Sequence, residues 1–457
     1  MVFNEIIDDN KKIYTESVVC EIKELLNKSR NNVAVQVNKE LLTTYWKIGE
    51  IIVNYEQNEQ IRAEYGEKTL IQLSKSLTRE LGRGFSRSNL QNMRLFYLQY
   101  PICQTLSSKL SWSHYCELLS VSDKDKRSFY EKECVNSNWD VRELQRQIAL
   151  EKEELENYKK EETKTSDGHK VELVANIGTP ADVEIVLKNC AEGIGLLRSE
   201  FLYMDSEDMP TEEEQFASYK EVAEKMQGRT VIIRTLDVGG DKDLKYLHLE
   251  KEANPFLGYR AIRLCLDNIS LFKTQLRAIL RASNFGNLSI MFPMISSIEE
   301  LREAKKILEE CKKELDLKNI PYNKDIKVGI MIEIPSAALV ARGLAKECDF
   351  FSIGTNDLIQ YTVAVERGNE KISKLYTKYH PAVINLIKQS IDGAHEAGIF
   401  CGMCGEAAGD GLYIPLLVGL GLDEFSMNAN SILKSRKIIS SLEKTKCECV
   451  SSTYLQG

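Results

Sequence analysis

Residues 327–356, KVGIMIEIPSAALVARGLAKECDFFSIGTN, decide the fold. The run opens on an apolar, β-branched stretch (KVGIMIEI, 327–334), passes through a helix-forming segment, and returns to a second apolar stretch (FFSIGTN, 350–356). A short, nearly continuous apolar run followed by a helix and another such run marks parallel strands buried on both faces and joined by a crossover.

The same alternation extends in both directions. Upstream lie KVELVANI (170–177), GIGLLRSE (193–200), TVIIRTLD (230–237) and LSIMFPM (288–294), and downstream IFCGMCGE (399–406) and EFSMNAN (424–430). Eight strands, each with a following helix, over roughly 275 residues predict an α/β fold of the closed (β/α)₈ TIM-barrel type. Ahead of them, periodicity of the kind in NKELLTTYWKIGEIIVNYEQ (38–57) predicts an all-α domain, with breaks at Gly66, Gly82-Arg83-Gly84 and Pro101. The segment between, LEKEELENYKKEETKTSDGHK (150–170), is charged and loses its apolar stripe after Tyr158. The expected division is an all-α domain over 1–148, a charged helical linker over 149–168, the barrel over 169–445 and a tail over 446–457.

Composition narrows the function classes. Residues 1–150 hold 21 Lys+Arg against 20 Asp+Glu, and totals of 60 and 68 leave 39 against 48 for the remainder, so net charge moves from +1 to −9. That acidity argues against nucleic acid as a partner of the barrel, while leaving room for a small anion held by local arginines. No apolar run reaches the roughly 18 residues of a membrane helix, and the N-terminus lacks a signal-peptide pattern, so a soluble, cytoplasmic chain with no membrane partner is expected. Twelve scattered cysteines then read as reduced thiols. Cys401 and Cys404 have C-x-x-C spacing, but both fall on one strand without a second ligand pair, so the spacing is read as chance.

Barrel active sites lie at the C-terminal strand ends. There the sequence places Arg198, Arg234 with Asp237, Glu333, Asn356 with Asp357, and Cys404 with Glu406. Arg198, Arg234, Arg260 and Arg367 supply planar forks suited to phosphate and carboxylate oxygens. Glu333 and Asp357 form a carboxylate pair of the kind that holds Mg²⁺ while substrate and water complete its shell. Asn356 can orient a substrate, and Cys404 is a titratable group able to carry a proton. The plain alternatives are structural ion pairs for the charged residues and space filling for the cysteine.

Six segments, GIGLLRSEFLYM, RTLDVGGDK, NPFLGYRAIR, MIEIPSAAL, FSIGTNDLIQYTVAVERGN and GMCGEAAGD, resemble the signatures of enzyme I of the bacterial sugar phosphotransferase system, over about residues 150–445. The resemblance implies phosphoenolpyruvate held by Arg198, Arg234, Arg260 and Arg367, with Asn356 and the Asp357 backbone beside it. It further implies Mg²⁺ on Glu333 and Asp357, Cys404 as the acid that protonates the enolate to give pyruvate, and a homodimer formed through the barrel. Lys242 is read either as a phosphate helper or as a surface lysine. Enzyme I also carries an active histidine in a G-x-T-S-H-like segment, and none of the five histidines here lies in one, so the phosphohistidine acceptor is expected in trans. The other function carried forward is a phosphoenolpyruvate sensor coupled to a DNA- or protein-binding helical domain, without turnover.

Residues 15–148, through EYGEKTLIQLSKSLTRELGRGFSRSNLQNMRLFYLQYP and LSWSHYCELL, resemble an uncharacterised domain found ahead of PD-(D/E)xK-type nucleases. Lys75, Arg79, Arg83 and Arg87 recur every four residues, Arg94 follows, and Ser86 is placed to cap the helix after it. This stripe reads either as a solvated helix face or as a phosphate-contacting helix-turn-helix face, so nucleic acid is a candidate partner for this domain alone. Trp112, His114 and Tyr115 read as packing residues.

Overall fold

The computed structural model describes residues 2–58, 63–100, 107, 109–121, 124–204, 208–239, 252–369 and 371–455. The chain divides into two compact units, Met1–Glu153 and Glu154–Gly457. The first is helical: α1 (Val2–Asn58), α2 (Ala63–Leu81), α3 (Arg87–Gln99), α4 (Trp112–Leu118), α5 (Lys124–Asn136) and α6 (Val141–Glu156). Its interior has two apolar clusters, one around Leu42, Phe96, Tyr115, Leu118 and Leu144, the other around Ile52, Leu70, Leu90 and Met93. Tyr115 is fully buried, the Trp112 indole donates to Asn89 at 2.8 Å, and His114 accepts from the Ser111 amide at 3.2 Å. These three residues therefore pack and cap.

The second unit contains the barrel. β1 (Glu172–Ile177), β2 (Ile194–Arg198), β3 (Val231–Arg234), β4 (Leu288–Phe292), β5 (Lys327–Ile332), β6 (Phe350–Ile353), β7 (Phe400–Met403) and β8 (Glu424–Asn428) pair in parallel and in chain order, and β8 closes on β1. The strands are buried on both faces, which is why each reads as an apolar run rather than an alternation. Inward side chains of Leu196, Ile232, Met291, Met331 and Phe350 fill the barrel, while a much larger cluster joins the outer strand faces to the helices. No described helix is long and apolar enough to cross a membrane.

Residues 157–170 fold onto the barrel. Thr163 and Thr165 are buried, and the backbones of Lys164 and Lys170 pair in an isolated antiparallel β-bridge. Arg436, 2% exposed, is the clamp: its guanidinium donates to Thr163 Oγ1 at 2.9 Å, Tyr158 O at 3.0 Å and Cys190 O at 2.8 Å. A helix over Lys444–Leu455 follows, burying Cys447 and Ser451. Arg436→Ala leaves these partly buried acceptors without their donor and should cost about 1–3 kcal/mol, read as a lower urea midpoint, with little recovery in Arg436→Lys because an ammonium cannot reproduce the fork.

Candidate functional site

The C-terminal ends of the strands carry a cluster of charges. Register pairs Arg198 with Arg234 at the end of β2 and β3. Arg234 is buried, with Nη1 3.0 Å from Asp237 Oδ2 and Nη2 paired with Glu200. Arg260 donates from Nη2 to Asp237 Oδ1 at 2.8 Å and to Asp357 Oδ2 at 3.4 Å, and from Nη1 to the Tyr361 hydroxyl at 3.3 Å. Asp237 thus bridges two guanidiniums. Burial opposes both positive charges, but Glu200 and Asp237 around Arg234, and Asp237 and Asp357 around Arg260, outweigh it and raise both pKa values. The two are permanent cations.

Glu333 follows β5 and is 2% exposed, its Oε1 accepting from the Met294 amide at 2.6 Å. Burial, then the Asp357 and Asp237 carboxylates, push its pKa up to about 8 against the pull of Arg234 and Arg260. Two residues beside this cluster have left-handed backbone: Met294 at φ +58° and Ala261 at φ +53°. Each costs about 1–3 kcal/mol, and such strain gathers where side chains are held for a task. Here it holds the donor to Glu333 and the residue after Arg260.

Asn356 and Asp357 open the helix Thr355–Val363 after β6, and the Asn356 carbonyl accepts from the Tyr376 hydroxyl at 3.0 Å. Arg367 is exposed, its amide donating to Gln360 Oε1 at 3.0 Å, and its charge works on Tyr376 against the larger effect of burial. Cys404 follows β7. Its amide donates to Ile353 O at 3.1 Å, its Sγ lies 3.8 Å from the same carbonyl, and its own carbonyl accepts from Asn176 Nδ2 at 3.0 Å. Burial pushes the thiol up to about 11, with Arg234 and Arg198 pulling the other way.

The mouth therefore gathers Arg198, Arg234, Arg260, Glu333, Asn356, Asp357 and Cys404, with Arg367 at its edge. Cys401 belongs to the outer, helix-facing cluster and Cys404 to the barrel interior, so the two do not form a ligand pair. Glu406 is exposed, and Lys242 lies outside the described residues. Glu200, Tyr361, Tyr376 and Asn176 went unassigned in the sequence, although Glu200 and Asn176 sit in strand-end runs where polar residues call for explanation. Among the described residues, no group of three or more His, Cys, Asp or Glu side chains is arranged to hold a metal.

The family described as PEP-utilising enzyme, PEP-binding domain, matches residues 152–444. The chain belongs to the PEP-utilising enzymes. Within that family it is 58% identical over 302 residues to the phosphoenolpyruvate-protein phosphotransferase of Priestia megaterium, covering 66% of this chain and 53% of that one. The proteins of the same name from Staphylococcus carnosus (strain TM300; 56% over 317 residues, 69% and 55% covered) and Bacillus subtilis (strain 168; 59% over 288 residues, 63% and 50% covered) are similarly close. This PEP-utilising chain spans about half the length of these relatives. Residues 21–154 are similar to a different family, the DUF1016 N-terminal domain.

Proposed function

We propose that the barrel binds phosphoenolpyruvate with Mg²⁺ and passes the phosphoryl group to a histidine of a separate protein, releasing pyruvate. The observation that carries this reading is the pair of buried guanidiniums, Arg234 and Arg260, fixed by Asp237 at one barrel mouth of a PEP-utilising chain. With Arg198 and Arg367 they offer positive charge to both phosphate and carboxylate, and the Asn356 side chain and Asp357 backbone orient the bound anion. Pre-set cations of this kind stabilise charge that spreads over phosphoryl oxygens during in-line transfer.

Glu333 and Asp357 would hold the Mg²⁺. Their all-oxygen chemistry fits a hard cation, and the crowding that raises Glu333 is what a divalent ion between them would relieve. When bound, the ion would neutralise phosphoryl charge. The bond from enol oxygen to phosphorus breaks as a bond from an imidazole nitrogen to phosphorus forms, and the Cys404 thiol gives its proton to the methylene carbon of the departing enolate. Cys404 keeps that proton at neutral pH because burial raises it. The acceptor is assigned to another protein because none of the five histidines lies in a G-x-T-S-H-like segment.

Calorimetric titration of phosphoenolpyruvate, with and without Mg²⁺, tests the reading when paired with a pyruvate assay on adding a phosphohistidine-type acceptor protein. Expected are saturable binding that requires Mg²⁺ and pyruvate only in the presence of acceptor. Binding without pyruvate would replace the enzyme by a sensor, and no binding would remove the site assignment altogether.

A further inference from the structure

Between Leu70 and Tyr100 stand Lys75, Arg79, Arg83, Arg87 and Arg94 against one acid, Glu80, a net charge of +4 inside a domain whose first 150 residues sum to +1. The structure gives this concentration a shape. α2 and α3 are joined by Gly82-Arg83-Gly84-Phe85-Ser86, in which Gly82 (φ +87°) and Gly84 (φ +115°) adopt backbone open only to glycine without strain.

The turn is tied on both sides. Ser74 Oγ donates to Phe85 O at 2.8 Å, Asn89 Nδ2 donates to Gly84 O at 2.6 Å, and the Ser86 hydroxyl caps α3 by accepting from the Asn89 amide at 3.2 Å. Phe85 packs beside Leu73 and Leu77 of α2 and Leu90 and Met93 of α3. Beneath them α1 crosses so tightly that a Cβ on Gly49 would meet Met93 O at 2.1 Å. Two helices are therefore held rigidly on a third.

Helical spacing then fixes what faces outward. Lys75 and Arg79 lie on α2 opposite its Leu70, Leu73 and Leu77 face. On α3, Arg87 and Gln91 follow at i and i+4, away from buried Met93 and Phe96, whereas Arg94, four residues after buried Leu90, is half-buried. Arg83, Arg87 and Ser88 are exposed.

We infer that this helix-turn-helix binds duplex DNA, with the first half of α3 in the major groove and Lys75, Arg79 and Arg83 on flanking phosphates. A helix about 10–12 Å across fits the B-form major groove, about 12 Å wide, whereas the narrow, deep major groove of duplex RNA excludes it. Arg87, Ser88 and Gln91, in the first half of α3, are the side chains placed to meet base edges.

The experiment is fluorescence anisotropy of the whole chain with a labelled mixed-sequence DNA duplex of about 20 base pairs, repeated with the RNA duplex of the same sequence. Neutralising the three phosphates met by Lys75, Arg79 and Arg83 predicts an affinity loss of about 40-fold between roughly 50 and 200 mM salt. Arg79→Ala should lower the logarithmic salt slope by about 1, and Arg87→Ala should weaken binding about 10-fold, with circular dichroism unchanged in both. No DNA binding at low salt, binding indifferent to both variants, or equal binding of the RNA duplex would each overturn the assignment.

Discussion

Arg234→Ala is expected to weaken phosphoenolpyruvate binding sharply and to destabilise the barrel at the same time. The guanidinium is buried and held between Glu200 and Asp237, so its removal takes one cation from a buried charge cluster and leaves Asp237 with Arg260, a change that costs about 3–5 kcal/mol. The unfolding midpoint should fall visibly in urea. Phosphoenolpyruvate affinity should fall by about 10²-fold or more, since a buried charge-assisted contact to an anion contributes on the order of 2–5 kcal/mol.

A variant that merely unfolds would say nothing about the site, so Arg234→Lys separates the two effects. It keeps a cation near Glu200 and Asp237 and should recover most of the stability, while the lost fork leaves affinity low. Calorimetry and urea unfolding on both variants decide the matter. Lysine restoring full binding would mean that Arg234 acts only as a structural counter-ion.

How far the site was legible depended on which kind of order fixed each part. The eight strands announce themselves because burial on both faces writes a continuous apolar run, and the strand ends then locate Arg198, Arg234, Glu333 and Cys404. The pairing between them is another matter. Arg260 meets Asp357 across 97 positions of sequence and meets Tyr361 across 101, and such contacts exist only once the barrel has closed. Glu200 reads as an ordinary first-turn acid of the helix Glu200–Met204, and only closure turns it toward Arg234. Arg436 was equally hidden, because SILKSRKIISS is amphipathic in either orientation and burial is decided by the carbonyls of Tyr158 and Cys190 far upstream. The C-x-x-C shows the opposite limit. Its spacing suggests a pair, yet three residues along a strand and its end send the two thiols to different sides of the sheet.

Cys404→Ser should leave phosphoenolpyruvate affinity nearly intact and slow pyruvate release by about 10²–10⁴-fold, the usual contribution of a positioned acid. Serine preserves size and a donor toward Ile353 O, so the mouth geometry persists, but its hydroxyl is far too weak an acid to protonate an enolate. The pH profile sharpens the test. Burial raises the thiol to about 11, above the ordinary thiol value near 8.5, so Cys404 carries its proton throughout the neutral and mildly alkaline range. The acid form is lost only as pH climbs toward 11, and pyruvate formation should therefore show no alkaline limb from this residue between about pH 7 and 9. A limb near 8.5 in the wild-type chain that vanishes in Cys404→Ser would mean that the thiol is solvated during turnover. Unchanged turnover in Cys404→Ser would return Cys404 to the barrel packing it shares with Met331 and Phe350.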